Sequence, residues 1–224
     1  AKDVALRVAR AGPKLIVCHA RNRQILEKAE PPCPVLTVPD ASLLDGHTPP
    51  PYAELGPLDP AFVLFTSGTS GEPKLVTHGR RYITGQQLQA RNWLAAEPGE
   101  LVWSTAAPGW SKSTRNTFLA PWLCGAAALL QDRRFDPVER LATIRAEGVN
   151  VLCMAPTEYR VMAKRVDLVP LPALRGMVAA GEALNAEVLR AWQEAVGLEI
   201  RDGYGQTETG QLTANAVGEP ARPG

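Results

Sequence analysis

The chain predicts an α/β fold, layered, with a largely parallel sheet flanked by helices, and three observations carry that expectation. Short apolar runs recur at residues 14–19 ("KLIVCH"), 35–38, 61–65, 101–104, 126–130, 149–154 and 177–180. These runs are apolar without alternation, as strands buried on both faces are. Segments of helical period lie between several of them, and that alternation of strand and helix is what a parallel sheet needs for its crossovers. A hydrophobic content of 45% against 21% charged residues is sufficient for a real core.

Taken in order, residues 1–10 form a charged, helix-like pattern and lack the apolar stretch of a secretory leader. Residues 39–60 are rich in proline, glycine and aspartate and have no period, which predicts a loop or linker. They set the expected division: 1–60 as the end of one α/β subdomain with its linker, and 61–224 as a second subdomain carrying the site. Asp136, Pro137 and Glu139 stand as an acidic N-cap, a proline at the first helical position and a carboxylate in the first turn. Tyr159, Met162, Ala163 and Val166 fall at i, i+3, i+4 and i+7 of a second helix. Asn185 suits the cap of a third, whose Val188, Leu189, Trp192 and Val196 share one face.

Several function classes are disfavoured at this level. A formal net charge of +1 provides no global field for nucleic acid or an anionic membrane surface. No apolar run approaches the ~18 residues of a transmembrane helix, and a cytoplasmic location is the expectation. Cys18, Cys33, Cys124 and Cys153 are scattered without C-x-x-C spacing, so reduced, structural thiols are expected. His78 has no companion at metal-ligand spacing and is expected to be structural.

The segment "LFTSGTSGEPKLVTHG" at 64–79 carries the chemistry. Small residues let backbone N–H groups approach phosphate oxygens, hydroxyls add donors, and a nearby cation balances the charge. Flexibility alone would call for glycine and serine, and leaves the threonines and Lys74 unexplained. The loop does not fit the Walker A spacing, since the sixth position from Gly68 is Pro73 and the eighth is Leu75. On residue chemistry, phosphate binding is favoured over a connector.

Read whole, "FTSGTSGEPK" resembles the phosphate loop of the adenylate-forming enzymes: acyl-CoA synthetases, luciferases and peptide-synthetase adenylation domains. Two further signatures follow in the family's order, "AAGEAL" at 179–184 and "RDGYGQTETG" at 201–210. The stretches "APGWSKSTRNTFLAPWLCGAAALL" and "FDPVERLATIRAEGVNVLCMAPTEYRVM" resemble the medium-chain acyl-CoA synthetase branch, so the likeness runs over essentially the whole chain.

That resemblance implies a ligase joining a carboxylic acid, of medium-chain fatty or aromatic type, to coenzyme A through an acyl-adenylate, with ATP and Mg²⁺. Thr66, Ser67, Gly68, Thr69, Ser70, Gly71, Glu72, Pro73 and Lys74 would embrace the β- and γ-phosphates, with Lys74 as a point charge following the leaving pyrophosphate. Gly181, Glu182 and Ala183 would pass along the adenine edge. Asp202 and Gly203 would meet the base, Tyr204 would stack on it, and Gly205 and Gln206 would complete the nucleotide segment. Thr207 would donate to the α-phosphate and Glu208 would ligate Mg²⁺, one carboxylate with phosphate oxygens and waters being an ordinary magnesium site. Trp110 would wall the acyl slot; Lys112 and Arg115 would stand near coenzyme A or in solvent.

The family's sequence continues past this motif with a ribose-binding aspartate, a hinge arginine and a small C-terminal domain bearing an adenylation lysine, none of which lies within residues 1–224. The expectation is therefore an internal piece of a longer synthetase, inactive in ligation by itself. Two alternatives stay open here: transfer of the acyl group to a carrier protein, and a non-catalytic nucleotide-binding module. A bare sheet edge would also favour a homo-oligomer.

Overall fold

The computed structural model describes residues 2–46, 48, 50–66 and 72–220. The chain divides into two compact units, Ala1–Arg80 and Arg81–Gly224. Among the described residues no helix is long and apolar enough to cross a membrane.

The first unit contains α1 (Lys2–Ala11), β1 (Ile16–His19), α2 (Arg23–Glu27), β2 (Val35–Val38), β3 (Pro60–Thr66) and β4 (Lys74–Gly79). β1 and β2 pair in parallel, Ile16 opposite Val35. β3 and β4 form an antiparallel ribbon that closes with Thr66 opposite Lys74. The run at 61–65, expected to be buried on both faces, is nowhere fully buried, and a partner strand follows it directly. A ribbon of two strands cannot cover its own two faces. Arg7 stacks over Phe65 at 5.0 Å, and Arg10 pairs with Glu72 while donating to the Pro73 carbonyl. Two arginines of α1 thus grip the ribbon near its Thr66–Lys74 end.

The second unit opens with α3 (Arg81–Gly85) and α4 (Gln87–Gln89), which runs into a π-helical turn, Ala90–Leu94. Then come β5 (Leu101–Ser104), α5 (Ser111–Ser113), a second π-helical stretch Thr114–Leu119, α6 (Ala120–Leu123), β6 (Ala127–Ala128) and α7 (Pro137–Ala146). It ends with β7 (Val151–Met154), α8 (Pro156–Arg165), β8 (Gly176–Ala180), α9 (Ala186–Val196), β9 (Ile200–Gln206) and β10 (Gly210–Ala214). The run at 126–130 contributes only two residues to a strand, and Val166 lies just beyond α8 as its C-cap.

The six strands stand in the order β10-β9-β8-β7-β5-β6, all neighbours parallel except the β9–β10 hairpin. Alternate residues of each central strand feed two separate cores. Leu152 and Met154 join Trp103, Tyr159, Met177 and Trp192 on the face covered by α7, α8 and α9. Val151 and Cys153 join Trp93, Leu94, Ala120 and Val178 on the other. Both faces of the sheet are dry, which is why these strands are continuously apolar. The Tyr159 hydroxyl donates to the carbonyls of Leu152 and Val178, at 3.0 and 3.2 Å, so even the buried phenol is satisfied.

The helices start where their side chains can satisfy exposed N–H groups. Asp136 Oδ1 accepts from Val138 and Glu139, both at 2.9 Å, and Asn185 Oδ1 accepts from Val188 at 3.0 Å. At α8 no side-chain cap exists at Ala155; the Glu158 carboxylate instead reaches back to the Ala155 N–H at 3.2 Å. Glu158 also accepts from Thr105 Oγ1 and pairs with Arg140 at 3.0 Å. Arg140 lies over Trp103, 4.6 Å from the ring centre, so one nearly buried ion pair fastens α7, α8 and the end of β5 together.

β6 lies on one side of β5 and β7 on the other, so the winding reverses beside β5. In open α/β sheets ligands collect at the carboxyl ends of strands around such a reversal. At that edge Lys112 of α5 donates from Nζ to the last carbonyls of β7 and β8, Met154 O at 3.1 Å and Ala180 O at 2.7 Å.

Two stability outcomes follow from these contacts. Lys112→Met keeps the aliphatic stem and removes the donor from two strand-end carbonyls; it should cost about 1–3 kcal/mol in urea unfolding. An unchanged midpoint would mean that water serves those carbonyls equally well. Asp136→Ala should lose about 1 kcal/mol in the same titration, the cost of one helix cap.

Candidate active site

The segment expected to carry nucleotide chemistry is a hairpin. Tyr204, Gly205 and Gln206 do not follow the strand, as the sequence suggested, but form its last residues; Thr207, Glu208 and Thr209 make the turn into β10. Gln206 stands opposite Gly210, and its N–H donates to Thr209 Oγ1 at 3.3 Å. Glycine is needed here for space. A Cβ on Gly205 would stand 2.1 Å from the Gly210 carbonyl oxygen, and Gly210 itself has φ +80° with Gln86 Nε2 2.8 Å from its Cβ position. The close strand approach leaves Tyr204 with its ring more than half exposed and Glu208 exposed at the turn.

Other elements converge on this hairpin. Thr207 Oγ1 is 3.2 Å from Ser111 Oγ at the start of α5, so the turn is docked on the helix that follows β5. β8 runs beside β9, Ala179 opposite Asp202 and Ala180 opposite Gly203, which places the Gly181–Glu182–Ala183 turn next to this hairpin. Gly181 has φ +105°, a conformation other residues rarely adopt, and lets the chain leave β8 sharply. Glu182 accepts from Thr157 Oγ1, fixing that turn to the start of α8.

Asp202 is half-buried and accepts from the Gly203 N–H at 2.8 Å. Burial raises its carboxyl above the ordinary aspartate value; the Gly203 N–H and the Lys112 ammonium oppose that rise. Trp110 immediately precedes α5 and is 72% exposed, so its ring is available at the surface and is not core packing.

Lys112 and Arg115, for which the sequence offered coenzyme A contact or solvent, do something else. Lys112 is committed to the two strand ends described above. Arg115 is buried, and its Nη1 donates to Gln206 O at 3.1 Å, with Tyr82 Oη at 3.5 Å. The sequence named both cations without their partners, and Ser111 it did not single out. Their spacing along one helix beneath Trp110 was the available signal.

In the first unit, Thr66 and Lys74 flank the expected phosphate loop as paired strand ends, with Lys74 exposed. Glu72 and Pro73 are held by Arg10. Ser67, Gly68, Thr69, Ser70 and Gly71 lie outside the described residues. His78 is buried. The four cysteines are free thiols, Cys18 and Cys153 being buried. Among the described residues no group of three His, Cys, Asp or Glu side chains could hold a metal ion by itself. A cation here would need its remaining ligands from substrate and water.

Comparison with known proteins bears on the family and the fold. The uncharacterized acyl–CoA ligase YtcI of Bacillus subtilis is 41% identical over 169 residues, 74% of this chain and 32% of that protein. Human mitochondrial acyl-coenzyme A synthetase ACSM4 is 35% identical over 174 residues, 76% of this chain and 30% of that protein. This chain thus matches roughly a third of the length of these curated relatives. Among solved structures, the Brucella canis acyl-CoA synthetase superposes with a TM-score of 0.86 at 28% identity, covering 99% of this chain and 44% of that one. A benzoate CoA ligase from Burkholderia xenovorans, at 22% identity, shares the fold with a TM-score of 0.88, covering 99% of this chain and 48% of its own. The profile of the AMP-binding enzyme family matches residues 1–224 from end to end, and the chain belongs to that family.

Proposed function

We propose that this chain serves in an ATP-dependent carboxylic acid–coenzyme A ligase, acting on an acid of medium length, fatty or aromatic. The reaction converts acid, ATP and coenzyme A to acyl-coenzyme A, AMP and pyrophosphate. The observation that carries the reading is the meeting of the Thr207 turn, the exposed Tyr204 ring and the Gly181–Glu182–Ala183 turn at the carboxyl ends of β8 and β9, in a chain of the AMP-binding family.

The residues suit the parts. Tyr204 offers an open aromatic face for a purine, and Thr207 a hydroxyl already oriented by Ser111. Asp202 and Gly203, with the turn at Gly181, Glu182 and Ala183, border the same edge, and Gly205 and Gln206 shape the hairpin. Glu208 is one exposed carboxylate. With phosphate oxygens and water it makes a normal Mg²⁺ ligand set, and the ion would supply charge neutralisation at the phosphates. Thr66, Ser67, Gly68, Thr69, Ser70, Gly71, Glu72, Pro73 and Lys74 are the proposed phosphate loop. Trp110 is the proposed wall of the acyl slot. Displacing pyrophosphate by a carboxylate crowds anionic oxygens, so prearranged donors at these positions lower the barrier. Residues 1–224 by themselves are proposed to bind nucleotide without completing ligation.

Calorimetry with ATP and Mg²⁺ on this chain tests the assignment. Binding is expected, and a Thr207→Ala, Glu208→Ala double variant should weaken it at least tenfold while unfolding at a similar temperature. Binding that the double variant retains in full would remove these two residues from the nucleotide site.

A further inference from the structure

The two threonines at the tip of the β9–β10 hairpin are used differently. Thr209 serves the turn itself: its hydroxyl accepts from the Gln206 N–H at 3.3 Å and donates to the Gly210 carbonyl at 3.2 Å. Thr207 reaches away from the hairpin, and its Oγ1 donates to Ser111 Oγ at 3.2 Å, across 96 positions of sequence. Gln206, Glu208 and Thr209 are exposed, and Thr207 alone of the four is partly covered. One side chain of the turn is therefore held from outside the hairpin.

Ser111 stands on a run that is fixed without its hydroxyl. The Ser113 N–H donates to Trp110 O at 2.9 Å, and Lys112 meets the Met154 and Ala180 carbonyls. Arg115, on the same run, donates to the Gln206 carbonyl at 3.1 Å and so ties down the backbone just before Thr207. None of these contacts involves Ser111 Oγ. Among the described residues that hydroxyl meets Thr207.

The pair can be read as a proton-direction device. Each hydroxyl has one proton to donate and two lone pairs to accept with. While Thr207 donates to Ser111, its proton is turned away from any ligand. If both O–H bonds rotate, Ser111 donates to Thr207 and the Thr207 proton is released toward a nucleotide oxygen. No heavy atom need move. Threonine is stiff at χ1, so with its backbone held the proton is the main remaining freedom. A hydroxyl that accepts one hydrogen bond is also polarised into a better donor for the next.

We propose that Ser111 is a positioning residue that sets the direction of the Thr207 hydroxyl proton, accepting it in the absence of nucleotide and donating to Thr207 once a phosphate oxygen is bound. This rests on the ligase reading and deepens it by adding a residue that acts on the nucleotide at one remove. The consequence is specific. Ser111 contributes only through Thr207, and its contribution disappears when the Thr207 hydroxyl is gone.

The test is a double-mutant cycle on ATP–Mg²⁺ affinity, measured by calorimetry with the full-length protein containing this chain. Wild type, Ser111→Ala, Thr207→Val, the double variant and Ser111→Thr are compared, with thermal unfolding as the check on folding. Ser111→Ala should weaken binding about fivefold, the size of one net hydrogen bond. In the Thr207→Val background the same change should cost nothing further. Ser111→Thr, which keeps the hydroxyl, should stay within about twofold of wild type. Should the alanine variant fail to fold, Ser111→Cys takes its place in the cycle, being of similar size with a weak donor. An equal loss in both Thr207 backgrounds, the mark of a merely structural serine, would overturn the proposal. So would an unchanged affinity in Ser111→Ala, or a loss in Ser111→Thr as large as in alanine. Each of these leaves the ligase reading standing. No ATP binding by folded wild type would overturn the ligase reading and this inference with it.

Discussion

The ammonium group of Lys112 is the contact on which the geometry of the site depends. Parallel strands end with carbonyls pointing out of the sheet, and β7 and β8 end side by side at Met154 O and Ala180 O. A single flexible cation from α5 meets both. It thereby pins the start of the α5 run over the strand ends, which sets Ser111 against Thr207 and carries Arg115 to Gln206. The same charge lies near Asp202 and, after the Gly203 N–H, opposes the rise that burial imposes on its carboxyl. The site is organised around a lysine that has no exposed role of its own.

A second constraint is the absence of side chains where β9 meets β10. Two backbones approach so closely that a methyl group on Gly205 has no room, and the turn between them projects Thr207 and Glu208 as a result. Loop residues positioned by a rigid strand pair are a common way of fixing polar groups without large side chains of support. Here the rigidity comes from below, from Arg201, which donates to the Trp93 and Leu94 carbonyls while Trp93 Nε1 donates back to Arg201 O at 3.1 Å.

Much of the sheet was legible before any coordinates. β5, β7 and β8 are continuously apolar, and nothing but double-sided burial asks for that; Asp136 and Asn185 announced their helices through cap chemistry. The strands that escaped notice, β4 and β10, are polar and partly exposed, so periodicity had nothing to register. β9 escaped in part because its glycines and charged residues resemble a loop, whereas they are there to admit a neighbouring backbone. Within the site, residues placed by motif order were legible by resemblance. The commitments of Lys112 and Arg115 were not, because their partners are backbone carbonyls more than forty positions away, and a carbonyl leaves no trace in a sequence.

The hairpin sits at the outer end of the described strand order, with β10 the outermost member. Its backbone bonds are therefore the most readily lost of the sheet, since only one neighbour holds them and the strand is largely exposed. β10 can fray and re-form as a small unit while β9, held from below by Arg201, and the doubly buried centre, β7 and β8, stay closed. Amide exchange would be fast at Gly210 through Ala214 and slow at Val151 through Met154 on this account. A chain built this way can lose and remake its outermost strand at a cost far below that of global unfolding.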